Sequence, residues 1–90
     1  MNRTIISVIG KDHVGIMAGI CNYLAAHNIN ILDVNQSISQ GFFHMIMIVD
    51  ATGSDREFSG VAGDLEELGK EMSVQIKVQR EEIFDLMHKI

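Results

Sequence analysis

Proline and tryptophan are absent from this 90-residue chain, and cysteine occurs once, at Cys21. A lone cysteine excludes an intrachain disulfide and suits a reducing, cytoplasmic setting. The four histidines, His13, His27, His44 and His88, fall in separate segments with no His-x-x-x-His or Cys-x-x-Cys spacing, so neither a structural metal nor a cofactor is expected. Basic residues are scarce: seven Lys and Arg stand against twelve Asp and Glu, a formal charge of −5. That balance opposes approach to phosphate backbones or anionic lipid, so nucleic acid and membrane are not expected partners. Long apolar runs are missing too. The stretch Ile5 to Ile9 is broken by Ser7 and followed by Lys11 and Asp12, too short for a signal-peptide core and far below a membrane span.

What is present fits one domain, residues 1–79, with a tail over 80–90. A chain this short buries only about 60 to 65% of its unfolded surface, so a ligand or a second subunit is expected to supplement its core. Thr4 to Gly10 is rich in β-branched residues and ends in glycine, as a strand entering a turn does. Met17, Ile20, Cys21 and Leu24 recur at helical spacing, predicting a helix from Val14 to His27 that stops at Asn28. Leu32, Val34 and Ile38 alternate with polar residues, the pattern of a half-buried strand, with Gln36 as a polar intruder on its inner face. Gln40 and Gly41 then turn the chain into a second strand, Phe42 to Asp50. Ser54 and Glu57 fit a capping box opening a helix whose apolar face is Phe58, Val61, Leu65 and Leu68, with Gly69 as its C-cap. Met72 to Val78 alternates as a last strand, and Arg80 to Ile90 predicts a short C-terminal helix.

The order strand, helix, strand, strand, helix, strand is that of a ferredoxin-like βαββαβ sandwich. It is an α+β fold with a four-stranded antiparallel sheet in the order fourth, first, third, second and two helices on one face. The first and third strands are apolar on both sides, so Ile5, Ile9, Phe42, Ile46 and Ile48 form a stripe on the helix-free face. Such a stripe requires a cover. Two are available: the C-terminal helix, through Ile83, Phe84, Leu86, Met87 and Ile90, or a second subunit.

Chemistry concentrates between the first strand and the first helix, in Gly10-Lys11-Asp12-His13-Val14-Gly15. Free amides at a helix start can seat a carboxylate, Gly15 permits close approach, and Asp12 can cap the helix or accept an ammonium. The loop lacks the Lys and Ser or Thr of a Walker sequence. A capped helix with glycines for tight packing is the plainer account of the same residues. Cys21 falls on the apolar stripe and reads as a core residue rather than a nucleophile.

The run from Val8 through Gly15 to Ile16, followed by a helix and Asn28-Ile29-Asn30-Ile31 leading into a strand, resembles the ACT domain across nearly the whole chain. The similarity is to small stand-alone single-domain proteins and, more distantly, to the amino-terminal part of the glycine cleavage system repressor. Many ACT domains carry proline before the loop glycine, where this chain has Val14; proline would only preset the first helical turn. The resemblance implies homodimers that associate edge to edge and bind amino acids between the first loop of one subunit and the second strand of its neighbour. Carried onto this chain, the loop contributes Asp12, His13, Val14 and Gly15, whose amides would take the ligand carboxylate, and the strand entry contributes Asn30, Ile31, Leu32 and Asp33, of which Asn30 or Asp33 would take its ammonium.

Four functional readings compete. A non-enzymatic amino-acid sensor acting as a homodimer is the expected one. A ligand-free dimerisation scaffold for another protein is the alternative. An acylphosphatase-like enzyme would need an arginine cradle, and the loop offers only Lys11. An RNA-recognition module would need stacked aromatics with basic support, and adjacent Phe42 and Phe43 point to opposite sheet faces.

Overall fold

The computed structural model describes residues 3–81. It contains β1 (Arg3–Lys11), α1 (Ile16–Ala26), β2 (Asn30–Ser39), β3 (Phe42–Asp50), α2 (Phe58–Met72) and β4 (Val74–Arg80). All neighbouring strands are antiparallel, in the sheet order β2-β3-β1-β4. The expected βαββαβ sandwich is therefore the fold. The C-terminal helix expected over 80–90 lies outside the described residues, apart from Arg80, which ends β4, and Glu81, whose carboxylate meets Arg3 Nε at 2.9 Å.

One face of the sheet and the inner faces of both helices make the core. Ile6 and Val8 of β1, Phe43, Met45, Met47 and Val49 of β3, and Val74 and Ile76 of β4 pack against Ile16, Ile20 and Leu24 of α1 and Val61 and Leu65 of α2. Each such side chain removed from water stabilises the fold by roughly 1.5–3 kcal/mol before entropy is counted. Cys21 packs half-buried at the edge of this cluster. Gly10 stands opposite Val74, and a Cβ there would meet Val74 Cγ1 at 2.8 Å, so glycine is what lets β1 and β4 close at that end.

α1 begins at Ile16 rather than Val14 and β4 at Val74 rather than Met72, and three larger differences from the sequence expectation concern α2 and β2. Ser54 does not cap α2: its Oγ accepts from Arg56 N at 3.1 Å within a turn, and the N-cap is Glu57, in extended conformation and without a side-chain cap. Gly69 is not the C-cap, because α2 continues to Met72 and ends at Ser73 in the left-handed region, φ 59°. Gly69 is instead buried in the helix, where a Cβ would lie 2.8 Å from the Val74 carbonyl oxygen. The third difference is β2. Its alternation predicted a buried inner row, yet every residue except Val34 is exposed. α2 packs chiefly on β4 and α1 barely reaches β2, so the inner row of this outermost strand extends beyond the roof of the sandwich.

The helix-free face is unevenly covered. Ile5 is buried and Ile46 and Ile48 are half-buried, whereas Ile9 and Phe42 remain 51% and 56% exposed. No helix of the described residues is long and apolar enough to cross a membrane.

Candidate functional site

β1 ends where Lys11 stands opposite Phe42, beside the β2–β3 turn. Gln40 and Gly41 both adopt positive φ, 53° and 82°, the pairing a type I′ two-residue hairpin requires. From there Asp12 N donates to the Gly41 carbonyl at 2.8 Å, tying the loop to the hairpin tip. His13 Nε2 lies 2.6 Å from the Met72 carbonyl oxygen at the end of α2, and its Nδ1 lies 3.1 Å from the Val14 carbonyl oxygen. The Val14 side chain is fully exposed.

Gly15 is the N-cap of α1, with φ 100°. A Cβ built there has no neighbour within 4 Å, so the left-handed backbone, and not tight packing, is the reason for glycine. No side chain caps α1: Asp12 does not take the role its sequence position permitted. The first intrahelical bond runs from Gly19 N to the Gly15 carbonyl at 2.9 Å, leaving the preceding amides without a side-chain partner. An uncapped, glycine-initiated helix beside an open loop has the chemistry to receive a carboxylate.

Asn30, Ile31, Leu32 and Asp33 open β2 at the opposite end of the sheet, where Asn30 faces Asp50. All four are exposed. The register slips between Ile31 and Asp33, a bulge around Leu32, and Asp33 Oδ1 accepts from Val34 N at 3.0 Å. β2 spans ten residues. At about 3.3 Å per residue its two ends are about 30 Å apart, so one chain does not bring Asn30 to Asp33 into contact with Asp12 to Gly15. What the fold gathers around the loop is the hairpin tip, the end of α2 and exposed Ile9, Ile38 and Phe42. Sequence reasoning put Ile38 in the core, and it is 58% exposed.

The two sheet edges differ. β4 carries Lys77 at its middle and borders a groove of about 590 Å³ lined by Glu66, Lys70, Ser73 and Lys77 among others. β2 carries no lysine or arginine and exposes Ile31, Leu32 and Ile38. Edge lysines discourage strand pairing, and β2 lacks that protection.

A polar cluster joins the helices on the far side. Tyr23 donates to Asp64 Oδ2 at 2.6 Å, Arg56 donates from Nε and Nη2 to both Asp64 oxygens, and His27 Nδ1 meets Asp55 at 2.7 Å. Burial, then the Asp64 hydrogen bond, pushes the Tyr23 hydroxyl up to about 12. The Tyr23 hydrogen bond, followed by Arg56, holds Asp64 below the ordinary carboxylate value despite opposing desolvation. These groups satisfy one another and sit on the two helices, the C-cap of α1 and the segment leading into α2, away from the loop. Among the described residues no three His, Cys, Asp or Glu side chains gather as a metal site would require.

Comparisons with known proteins agree with this geometry. A family model for the ACT domain matches residues 2–79. A UPF0237 protein of Bifidobacterium longum is 51% identical over 90 residues, covering the whole of both chains. A UPF0237 protein of Methanocaldococcus jannaschii is 47% identical, again over the whole of both. Among solved structures, an ACT domain protein from Streptococcus pneumoniae superimposes with a TM-score of 0.81 at 31% identity, covering 92% of this chain and 93% of that one. The ordering of strands, the glycine-started α1 and the full-length relatives lead to one conclusion: this chain belongs to the ACT domain family.

Proposed function

We propose that this protein is a non-enzymatic, cytoplasmic regulatory module that binds an amino acid, or a similar small zwitterion, at the seam of a homodimer. The observation that carries the reading is the separation of the two half-sites in one chain together with the bare edge of β2. Antiparallel pairing of two β2 strands about Asn35 would set Ile31 opposite the partner's Ser39. The Asn30–Asp33 segment of each protomer would then approach the loop end of the other. The α1 amides and the loop would take the ligand carboxylate, and Asn30 or Asp33 its ammonium, so that both charges of a zwitterion are matched. Ligand bridging the seam would strengthen association, and association would strengthen ligand binding by the same factor.

Sedimentation equilibrium combined with titration calorimetry against the amino acids tests this. A dimer that binds one or a few of them, with affinity lowered by Gly15→Ala or Asp33→Ala, is the expected result. A monomer at working concentrations overturns the reading. A stable dimer silent toward the whole panel overturns its ligand half and leaves an interaction scaffold.

A further inference from the structure

His13 is the loop residue whose side chain reaches another element. Both of its ring nitrogens face carbonyl oxygens, Nε2 toward Met72 at 2.6 Å and Nδ1 toward Val14 at 3.1 Å. A carbonyl only accepts, and a neutral imidazole carries a single N–H, so the neutral ring leaves one carbonyl facing a lone pair. The imidazolium carries two N–H groups and satisfies both. Met72 is the last residue of α2, and its carbonyl is among those the helix cannot satisfy internally. The helix dipole adds partial negative charge at that end and favours a cation there.

We infer that His13 is a proton-dependent positioning residue, a clasp that in its charged form holds the Asp12–Gly15 turn against the end of α2. On losing its proton it releases one of the two carbonyls. The backbone bond from Asp12 N to Gly41 then holds the hairpin side of the turn while the α2 side loosens. The charged groups around the ring divide. Asp12 on the loop favours the cation, as do the carbonyls of Val14 and Met72, whereas the positive end of α1 opposes it. The last turn of α2 contributes Lys70 and Glu71, of opposite sign. The balance raises the His13 value above the ordinary 6.5, chiefly through the hydrogen bonds to Val14 and then Met72, with Asp12 adding and burial opposing. The clasp is closed below that ordinary value and opens as the pH rises through the higher folded one. Its regulatory consequence, a ligand loop better ordered at the acidic end of the physiological range, rests on the proposed function; the clasp itself does not.

The test is a heteronuclear NMR titration of the full, ligand-free chain from about pH 5 to pH 9, the range in which histidine changes charge. His13 is expected to titrate with its midpoint displaced upward from 6.5, and the amides of Gly15 and Ser73, one on each side of the clasp, to shift with that midpoint. In His13→Gln these two amides lose the transition while the rest of the spectrum superimposes. A His13 midpoint at or below 6.5, or Gly15 and Ser73 amides that stay still while His13 titrates, overturns the clasp. If the variant fails to fold, the wild-type titration decides by itself. Calorimetric silence toward amino acids would end the ligand reading and leave the clasp standing; motionless amides would do the reverse.

Discussion

Tyr23 of α1 donates its hydroxyl to Asp64 Oδ2 of α2 across 2.6 Å, and Arg56 Nε reaches the same oxygen at 3.0 Å, so one carboxylate joins both helices and the segment before α2. Elsewhere the two helices meet through the apolar side chains of the shared core.

Tyr23→Phe keeps the ring in place and removes the hydroxyl donor. The expected outcome is a thermal midpoint lowered by a few degrees, read by calorimetry. Asp64→Asn, which leaves Arg56 without its carboxylate, is expected to lower it further.

The same contact sets two pH limits. The folded Asp64 value lies below its ordinary 3.8, so its contribution is present above pH 3.8 and is lost as the pH falls through the depressed value. Tyr23 is raised from 10.0 to about 12, so its contribution is complete below pH 10.0 and is lost as the pH rises through about 12. Tyr23 is the only tyrosine in a chain without tryptophan, so ultraviolet absorbance reports its ionisation directly. The midpoint is expected to move down, without reaching 10.0, in Asp64→Asn, because burial is the larger cause of its rise.

Thr4 is 2% exposed, and no described residue accepts or donates a hydrogen bond at its Oγ1. It borders a cavity with room of only about 10 Å³, shared with Ile29, Val49, Ala51, Arg56, Phe58 and Val61. Replacing the hydroxyl by a methyl of the same shape, Thr4→Val, is expected to stabilise the protein by about 1 kcal/mol, measured by denaturant unfolding. Thr4→Ser keeps the hydroxyl and loses a methyl, and is expected to destabilise it.

Asn35→Lys places a cation in the middle of the bare β2 edge. Dimers paired along that edge are expected to dissociate in analytical ultracentrifugation, with the circular dichroism of the fold unchanged. The corresponding charge is already present on β4 as Lys77, so Gln75→Lys serves as the control and is expected to leave association intact.

The fold was legible in the sequence because each element carries its own period. Met45, Met47 and Val49 alternate with Ile46 and Ile48 as a strand apolar on both faces must, and the structure buries the first set against the helices. Val61 and Leu65 mark the buried face of α2. The loop was legible through Gly15, although the reason for it was not: φ 100°, and not a crowded neighbour, requires glycine there. Ends were less legible. Ser54 and Glu57 have the spacing of a capping box, but Ser54 is drawn into the turn that closes from its amide to the Ala51 carbonyl.

The amino-acid sequence by itself determined the element order, the antiparallel sheet and the residues of the loop, because alternation, helical spacing and turn residues act over a few neighbours along the chain. Only the tertiary structure decided that β2 is bare, that Ile38 faces water, and that His13 meets Met72, 59 residues away. Those outcomes depend on how far two helices can roof four strands and on which loops share an end of the sheet, and both are properties of packing between segments distant along the chain.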